Sequence, residues 1–354
     1  KLQVLDKKSD MAQMTGFDDG EEETVINLTV KPGMKQGWFG NAYGGYGSKD
    51  RYEGNAMVNR FVNNDQITFM GGANNTNNMG FSDLASTMFS GMGGGGGRRG
   101  GFGAGSGITS SGNAGLNFSK EFKPDKLTLG GNTRYSHSDN DARSKSDRQN
   151  ILPGDSSSYD NSEAMSRTKS DNFGVDFRLE WKPDTMTQLI FRPSFSLSHS
   201  MNDNFSDATT LDNERDTVNT NKSSNYSESN GYNLNASIDF SRKLNNKGRV
   251  FSATLSGGNS DSYSDGMNRS DIVYFNQTDA LKNSIIDQRS RYDNKGFNYR
   301  AYVSWVEPIG HNNFIQATYS ISQRKQEALK NVYNQDADGI YNVCLLYTSP
   351  SPRD

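Results

Sequence analysis

The sequence predicts an all-β protein, an antiparallel up-and-down transmembrane β-barrel, and three observations carry that prediction. Candidate strands alternate apolar and polar side chains over about ten positions. Their connections alternate between tight turns and long polar segments. No run of eighteen or more apolar residues occurs, so no transmembrane helix is expected, whereas strands exposing only alternate residues to lipid remain open.

The clearest case runs from Asp171 to Ser200. Phe173, Val175, Phe177, Leu179 and Trp181 alternate with Asn172, Gly174, Asp176, Arg178 and Glu180. A period of two puts the first set on one face of a strand and the second on the other. Residues 182–185, with Pro183 followed by Asp184, have turn chemistry. The chain returns with Leu189, Phe191, Phe195 and Leu197 on one face and Arg192, Ser194, Ser196 and Ser198 on the other. Arms of about ten to twelve residues exceed the usual globular strand and suit a wall with lipid outside and water inside.

Composition agrees. The mean hydropathy of −0.84 is what results when half of each strand and all of each connection are polar. A net charge of −3 over 354 residues gives no reason to expect nucleic acid. The one cysteine, Cys344, opens the string CLLYTSPSPRD at residues 344–354. That string reads as the in-frame translation of a sequencing-library adapter, so residues 344–354 are set outside fold reasoning. Without Cys344, disulfide scaffolds and cysteine zinc sites are excluded, which suits an envelope protein. Residues 1–10 lack the apolar core of a signal peptide and begin with Lys1, so the reading expects an N-terminus upstream.

In chain order, residues 2–5 and 24–31 read as two short strands, the second ended by Pro32-Gly33. Two short strands bury no core, so they read as the end of a domain. From Gly37 onward about eleven strands follow by alternation: residues 37–46, 52–61, 66–74, 112–118, 127–137, 172–181, 186–198, 232–242, 250–258, 297–306 and 313–322. Short turns are expected at 62–65, 120–126, 182–185, 244–248 and 307–312, and polar loops at 138–170, 201–230 and 259–296. Loops that long are rare in compact soluble domains, and the two unequal ends match an outer-membrane barrel with short turns periplasmic and long loops extracellular.

Aromatic residues follow the same scheme. Trp38, Trp181, Trp305, Phe118 and Phe240 fall at the short-turn end, and Tyr52, Tyr135, Phe173, Tyr232 and Phe297 near the opposite end. Two girdles of amphipathic rings are expected at the two bilayer interfaces. The inward faces carry Asn, Ser, Thr and Gly with scattered charges at Arg134, Asp176, Arg178, Glu180, Arg192, Asp239 and Arg300. Those charges are expected to pair across strands and line a wet wall.

No catalytic, cofactor-binding or metal-binding residues are expected, and no enzyme. Residues 93–107 are glycine-rich, but no strand precedes and no helix follows them, as a nucleotide loop requires. His137, His199 and His311 show no ligand spacing and read as surface histidines on different connections. Asp139-Asn140-Asp141 offers hard oxygens, but no calcium-loop pattern follows.

The run DDGEEETVINLTVKPG followed by GWFGNAYGGYG resembles the plug-to-barrel junction of TonB-dependent receptors, and more closely the outer-membrane β-barrel family of Bacteroidetes. GGANNTNNMGFSD at 71–83 and SSGNAGLNF at 110–118 add to the likeness. Val25-Ile26-Asn27-Leu28-Thr29-Val30-Lys31 matches the plug strand that leads into barrel strand one. Leu2–Leu5 is similar to an earlier plug strand, although Asp6-Lys7-Lys8-Ser9-Asp10 replaces the family's small-residue run.

The resemblance implies residues 1–35 as the C-terminal end of a plug domain, 36–323 as the first half of a barrel of about twenty-two strands, and 324–343 as a truncated extracellular loop. It implies a cell outer membrane location in a Gram-negative envelope and TonB-dependent uptake of an unidentified nutrient. The implied partners are outer-membrane lipid, the TonB complex through an N-terminal segment, and an extracellular nutrient ligand. The alternative is a barrel with a binding, adhesive or scaffolding role and no active transport. A solenoid adhesin would need a fixed repeat, which is absent, and a passive porin fits the plug-like leader poorly.

Overall fold

The computed structural model describes residues 2–8, 22–28, 36–77, 107–151, 157–245, 248–275, 283–309, 313–336 and 338–346. Among them every element is a strand. β1 (Leu2–Lys8) and β2 (Glu22–Leu28) pair antiparallel as a two-stranded sheet, Val4 opposite Ile26. The remaining strands are β3 (Gln36–Tyr46), β4 (Tyr52–Val62), β5 (Asp65–Asn74), β6 (Ile108–Lys123), β7 (Leu127–Asn150) and β8 (Ser158–Asp184). They continue with β9 (Thr187–Leu211), β10 (Thr217–Lys243), β11 (Val250–Tyr274), β12 (Ser284–Ile309), β13 (Asn313–Gln335) and β14 (Tyr341–Leu346). They form one 12-stranded sheet in strict sequence order from β3 to β14. Each strand pairs antiparallel with the next, so the topology is an up-and-down meander. No ladder joins β3 to β13 or β14 among the described residues, and the sheet is open.

All the strands read from alternation are present, and most are longer than expected. β8 and β10 have 27 residues each and β7 has 24. The segments 138–170, 201–230 and 259–296, expected as polar loops, are instead mostly strand: they carry the hairpins β7–β8, β9–β10 and β11–β12 outward to short connections. Their sequences hide this because both faces are polar there, so the period of two vanishes while the backbone ladder continues. The residues of 324–343 were likewise expected in a loop; β13 runs on through Gln335, and β14 adds a further strand opposite its end. The turn expected at 182–185 sits at Thr185-Met186. β8 continues through Pro183 because the register shifts between Trp181 and Asp184, a bulge that needs no donor from proline. Asp184 then closes the turn, its Oδ1 accepting from the Met186 N–H at 2.7 Å. The glycine-rich stretch 93–107 lies outside the described residues except for Gly107.

Residues opposite one another in a ladder share a face, and the register therefore sorts the whole sheet. One row runs Thr133, Val175, Phe195, Leu234 across β7 to β10. Its face also holds Val58, Phe69, Leu116, Ile238, Leu255, Val303 and Ile321. The other face holds Asn59, Thr68, Asn117, Asn132, Asp176, Ser194, Asn235, Ser252 and Ser304. Burial is inverted relative to a soluble core. Asn59 and Ser304 are 1% exposed, while Phe69 and Leu255 are 53% and 55% exposed. Every buried side chain, the apolar Met57, Met70, Ile190, Val250 and Val306 included, lies on the polar face. In a single twisted layer side chains crowd on the concave side, so the polar face is the inner one and the apolar face is turned outward.

Candidate functional site

The inner face brings together the charged residues named from the sequence. Arg134 on β7 donates to Asp176 on β8 at 2.8 Å and to Asn132 at 3.2 Å. Glu180 sits between Arg178 at 3.4 Å and Lys182 at 2.7 Å, and accepts from Gln188 of β9 at 2.9 Å. Arg192 on β9 pairs with Asp239 on β10, and Thr254 on β11 donates to the same carboxylate at 2.7 Å. Arg300 of β12 lies opposite Ser256 and Ser322 and makes no ion pair among the described residues. Diagonal pairing across neighbouring strands thus neutralises Arg134 with Asp176 and Arg192 with Asp239, and pairing along β8 joins Arg178 and Lys182 to Glu180. The result is a polar, hydrogen-bonded wall. Among the described residues no group of three or more His, Cys, Asp or Glu could hold a metal. Asp139 and Asp141 share a face of β7 while Asn140 occupies the other, so the three oxygens do not converge.

On the outward face an apolar band occupies the short-turn end of the strands. All the girdle aromatics named from the sequence lie on this face, the three tryptophans among them. From Phe173 to Trp181 the band spans about nine residues, close to the nine to eleven that a tilted strand needs to cross a bilayer. No helix among the described residues is long and apolar enough to cross a membrane, which says nothing of strands.

Two rows mark where the band gives way to polar residues. The lower runs Tyr135, Phe173, Leu197, Tyr232, Asp261 across β7 to β11; the upper runs His137, Asp171, His199, Asn230, Tyr263 across the same strands. Read from sequence spacing, His137 and His199 belonged to different connections; the register corrects this and sets them on either side of Asp171. Continuing the ladder outward from Tyr135 opposite Phe173 is the signal that finds it. Tyr135 Oη donates to Asp171 at 2.6 Å, and His137 Nδ1 lies 2.7 Å from the same oxygen. His199 Nδ1 lies 2.7 Å from Asn230 Oδ1, and the Asn230 amide donates to Tyr263 Oη at 3.1 Å. Between the rows is a groove of about 550 Å³.

Beyond these rows the outward face carries ion pairs. Arg167 makes a two-pronged contact with Asp139 at 3.0 and 2.7 Å, with Lys169 at 3.8 Å, and Lys145 meets Glu163 at 2.9 Å. The Arg167 guanidinium holds the Asp139 carboxyl below its ordinary range, and Lys145 does the same to Glu163. At the short-turn end Arg249 clasps Glu307 at 3.0 and 2.8 Å, and Trp305 Nε1 donates to Glu307 at 3.1 Å. No protein-family model matches the chain, and no curated protein matches it.

Proposed function

We propose that the chain forms wall and leader of an outer-membrane β-barrel, a receptor for TonB-dependent uptake of a nutrient, with the short turns periplasmic and the tall hairpins extracellular. The observation that carries this reading is the inverted sidedness of the sheet: polar residues buried on the inner face, aromatic and aliphatic residues exposed on the outer. In water that arrangement would leave a large apolar surface exposed, which soluble monomers avoid. In a bilayer it puts hydrocarbon against hydrocarbon, and the ladders on both sides of β4 to β12 hold their backbone groups. The open edges, β3 on one side and β13 below β14 on the other, call for further strands to close the wall. The β1–β2 pair and its resemblance to a plug strand support a lumen blocked until TonB acts.

Fractionation of cells expressing the full gene product tests the barrel. The expected result is a heat-modifiable band in the outer membrane whose tryptophan fluorescence is quenched by brominated lipid. A soluble product with unquenched tryptophans overturns the reading. Transport is tested with the isolated C-terminal domain of TonB, which is expected to bind the protein. Failure to bind favours the second reading, a surface-binding or scaffolding barrel. The height of the hairpins favours that alternative: on β8 about fourteen residues lie beyond the band, about 45 Å at about 3.3 Å per residue.

A further inference from the structure

We propose that the groove between the two rows binds the sugar headgroup of a glycolipid in the adjoining leaflet, with the lipid's tail lying along the apolar band. This rests on the outward face meeting lipid, as proposed above.

The groove has two chemically distinct walls. Below, Phe173, Leu197 and Tyr232 line it, and the band continues beneath them through Val175, Phe195 and Leu234. An acyl chain laid there stays on an unbroken apolar strip. Above, Asp171, His199, Asn230 and Tyr263 line it, and Asp261 closes it at β11. No lysine or arginine lines the groove, so a phosphate or sulfate head would face carboxylates without a cation to meet it.

The free hydrogen-bonding capacity narrows the class further. Asp261 makes no side-chain hydrogen bond or ion pair among the described residues, and only one Asp171 oxygen is taken, by Tyr135 and His137. These are acceptors. Tyr263 Oη accepts from Asn230 and keeps its own proton to donate, and His199 uses Nδ1 toward Asn230, leaving Nε2 on the other edge of the ring. A head that both gives and takes hydrogen bonds satisfies such a mixed set. Hydroxyl groups do this; an ammonium accepts nothing and, when quaternary, donates nothing, and so would leave the phenol unmatched. Aromatic side chains at Tyr135, Phe173 and Tyr232 offer flat surfaces for the C–H faces of a sugar ring.

The test uses the full gene product in zwitterionic micelles, with dodecyl maltoside as probe and native mass spectrometry as readout. One saturable maltoside is expected per chain. Asp261→Ala and Tyr263→Phe together are expected to weaken it at least tenfold while heat-modifiability persists. Maltose, which has no tail, and dodecyltrimethylammonium, which has no hydroxyls, are expected to bind at least tenfold more weakly. Equal binding by the double variant places the lipid elsewhere and overturns the proposal. Equal binding of maltose makes the groove a free-saccharide site, and equal binding of the ammonium makes it a cation site; either result overturns it. A heat-modifiable protein that takes no maltoside defeats this proposal alone. A chain that never folds in micelles defeats it together with the barrel.

Discussion

Phe118 and Phe177 meet edge to face across Gly131, their ring centroids 6.3 Å apart. The three residues form one row over β6, β7 and β8, and the rings cover a strand position that has no side chain of its own. A Cβ at Gly131 would stand 2.6 Å from the Phe177 ring and 3.0 Å from that of Phe118. Gly131→Ala is therefore expected to displace both rings and cost about 1–3 kcal/mol. At Gly37, where a Cβ meets nothing within 4 Å, alanine is expected to change stability by less than about 0.5 kcal/mol. Urea unfolding of the two variants, followed by tryptophan fluorescence, checks the contrast.

Neighbouring residues on β9 test the proposed lipid-facing side. Phe195 points outward and Ser196 inward. Phe195→Arg is expected to lose about 2 kcal/mol or more of stability in a bilayer, and Ser196→Arg much less. Refolding yields into lipid vesicles give the comparison; equal losses would contradict the assigned faces.

Asp239 joins three strands through Arg192 and Thr254, and it is 7% exposed. Asp239→Ala leaves a largely buried guanidinium without its carboxylate and is expected to cost about 3 kcal/mol. A double-mutant cycle with Arg192→Ala measures the coupling, expected to exceed about 0.5 kcal/mol for groups in contact.

The outer hairpin of β7 and β8 should loosen in acid. Asp139 and Glu163 are held below their ordinary range by Arg167 and Lys145. A carboxyl depressed in the folded state contributes stability that is fully present above its unfolded pKa and is lost as pH falls through the folded value. Amide protection in residues 139–150 and 158–167, taken relative to intrinsic exchange at each pH, is thus expected to fall below about pH 4, and to do so less steeply at high salt, because these pairs are exposed.

The same hairpin should be dispensable for the wall. Ser144 lies opposite Ala164, so replacing residues 145–163 with Asn-Gly restores a tight turn at a shorter length. The shortened protein is expected to keep its heat-modifiability while losing the Lys145–Glu163 pair and the ladder of residues 159–163 with β9; failure to assemble would show that the hairpin helps form the wall.

What could be read in advance follows from where the two faces differ in polarity. Around Phe173–Trp181 one face is apolar, so the period of two is written in the residues, and strand positions, girdle faces and inward charges all follow from it. Above Asp171 both faces are polar, the alternation fades, and residues such as Asn202, Ser223 and Asn268 look like loop while sitting in continuous ladders. The groove was hidden for a different reason. It depends on register across β7 to β11, and His137, Asp171 and His199 are far apart in sequence though adjacent in one row. Pro183 misled at short range, because a bulge absorbs what otherwise reads as a stop.

The tall hairpins bear on traffic. In the proposed orientation they rise as a palisade with the groove at its foot, on the outer side. A bulky particle arriving from the medium is held off by that fence, whereas a molecule already dissolved in the leaflet drifts in sideways. Access to the groove is then a search in two dimensions, set by the make-up of the surrounding membrane rather than by concentration in the medium.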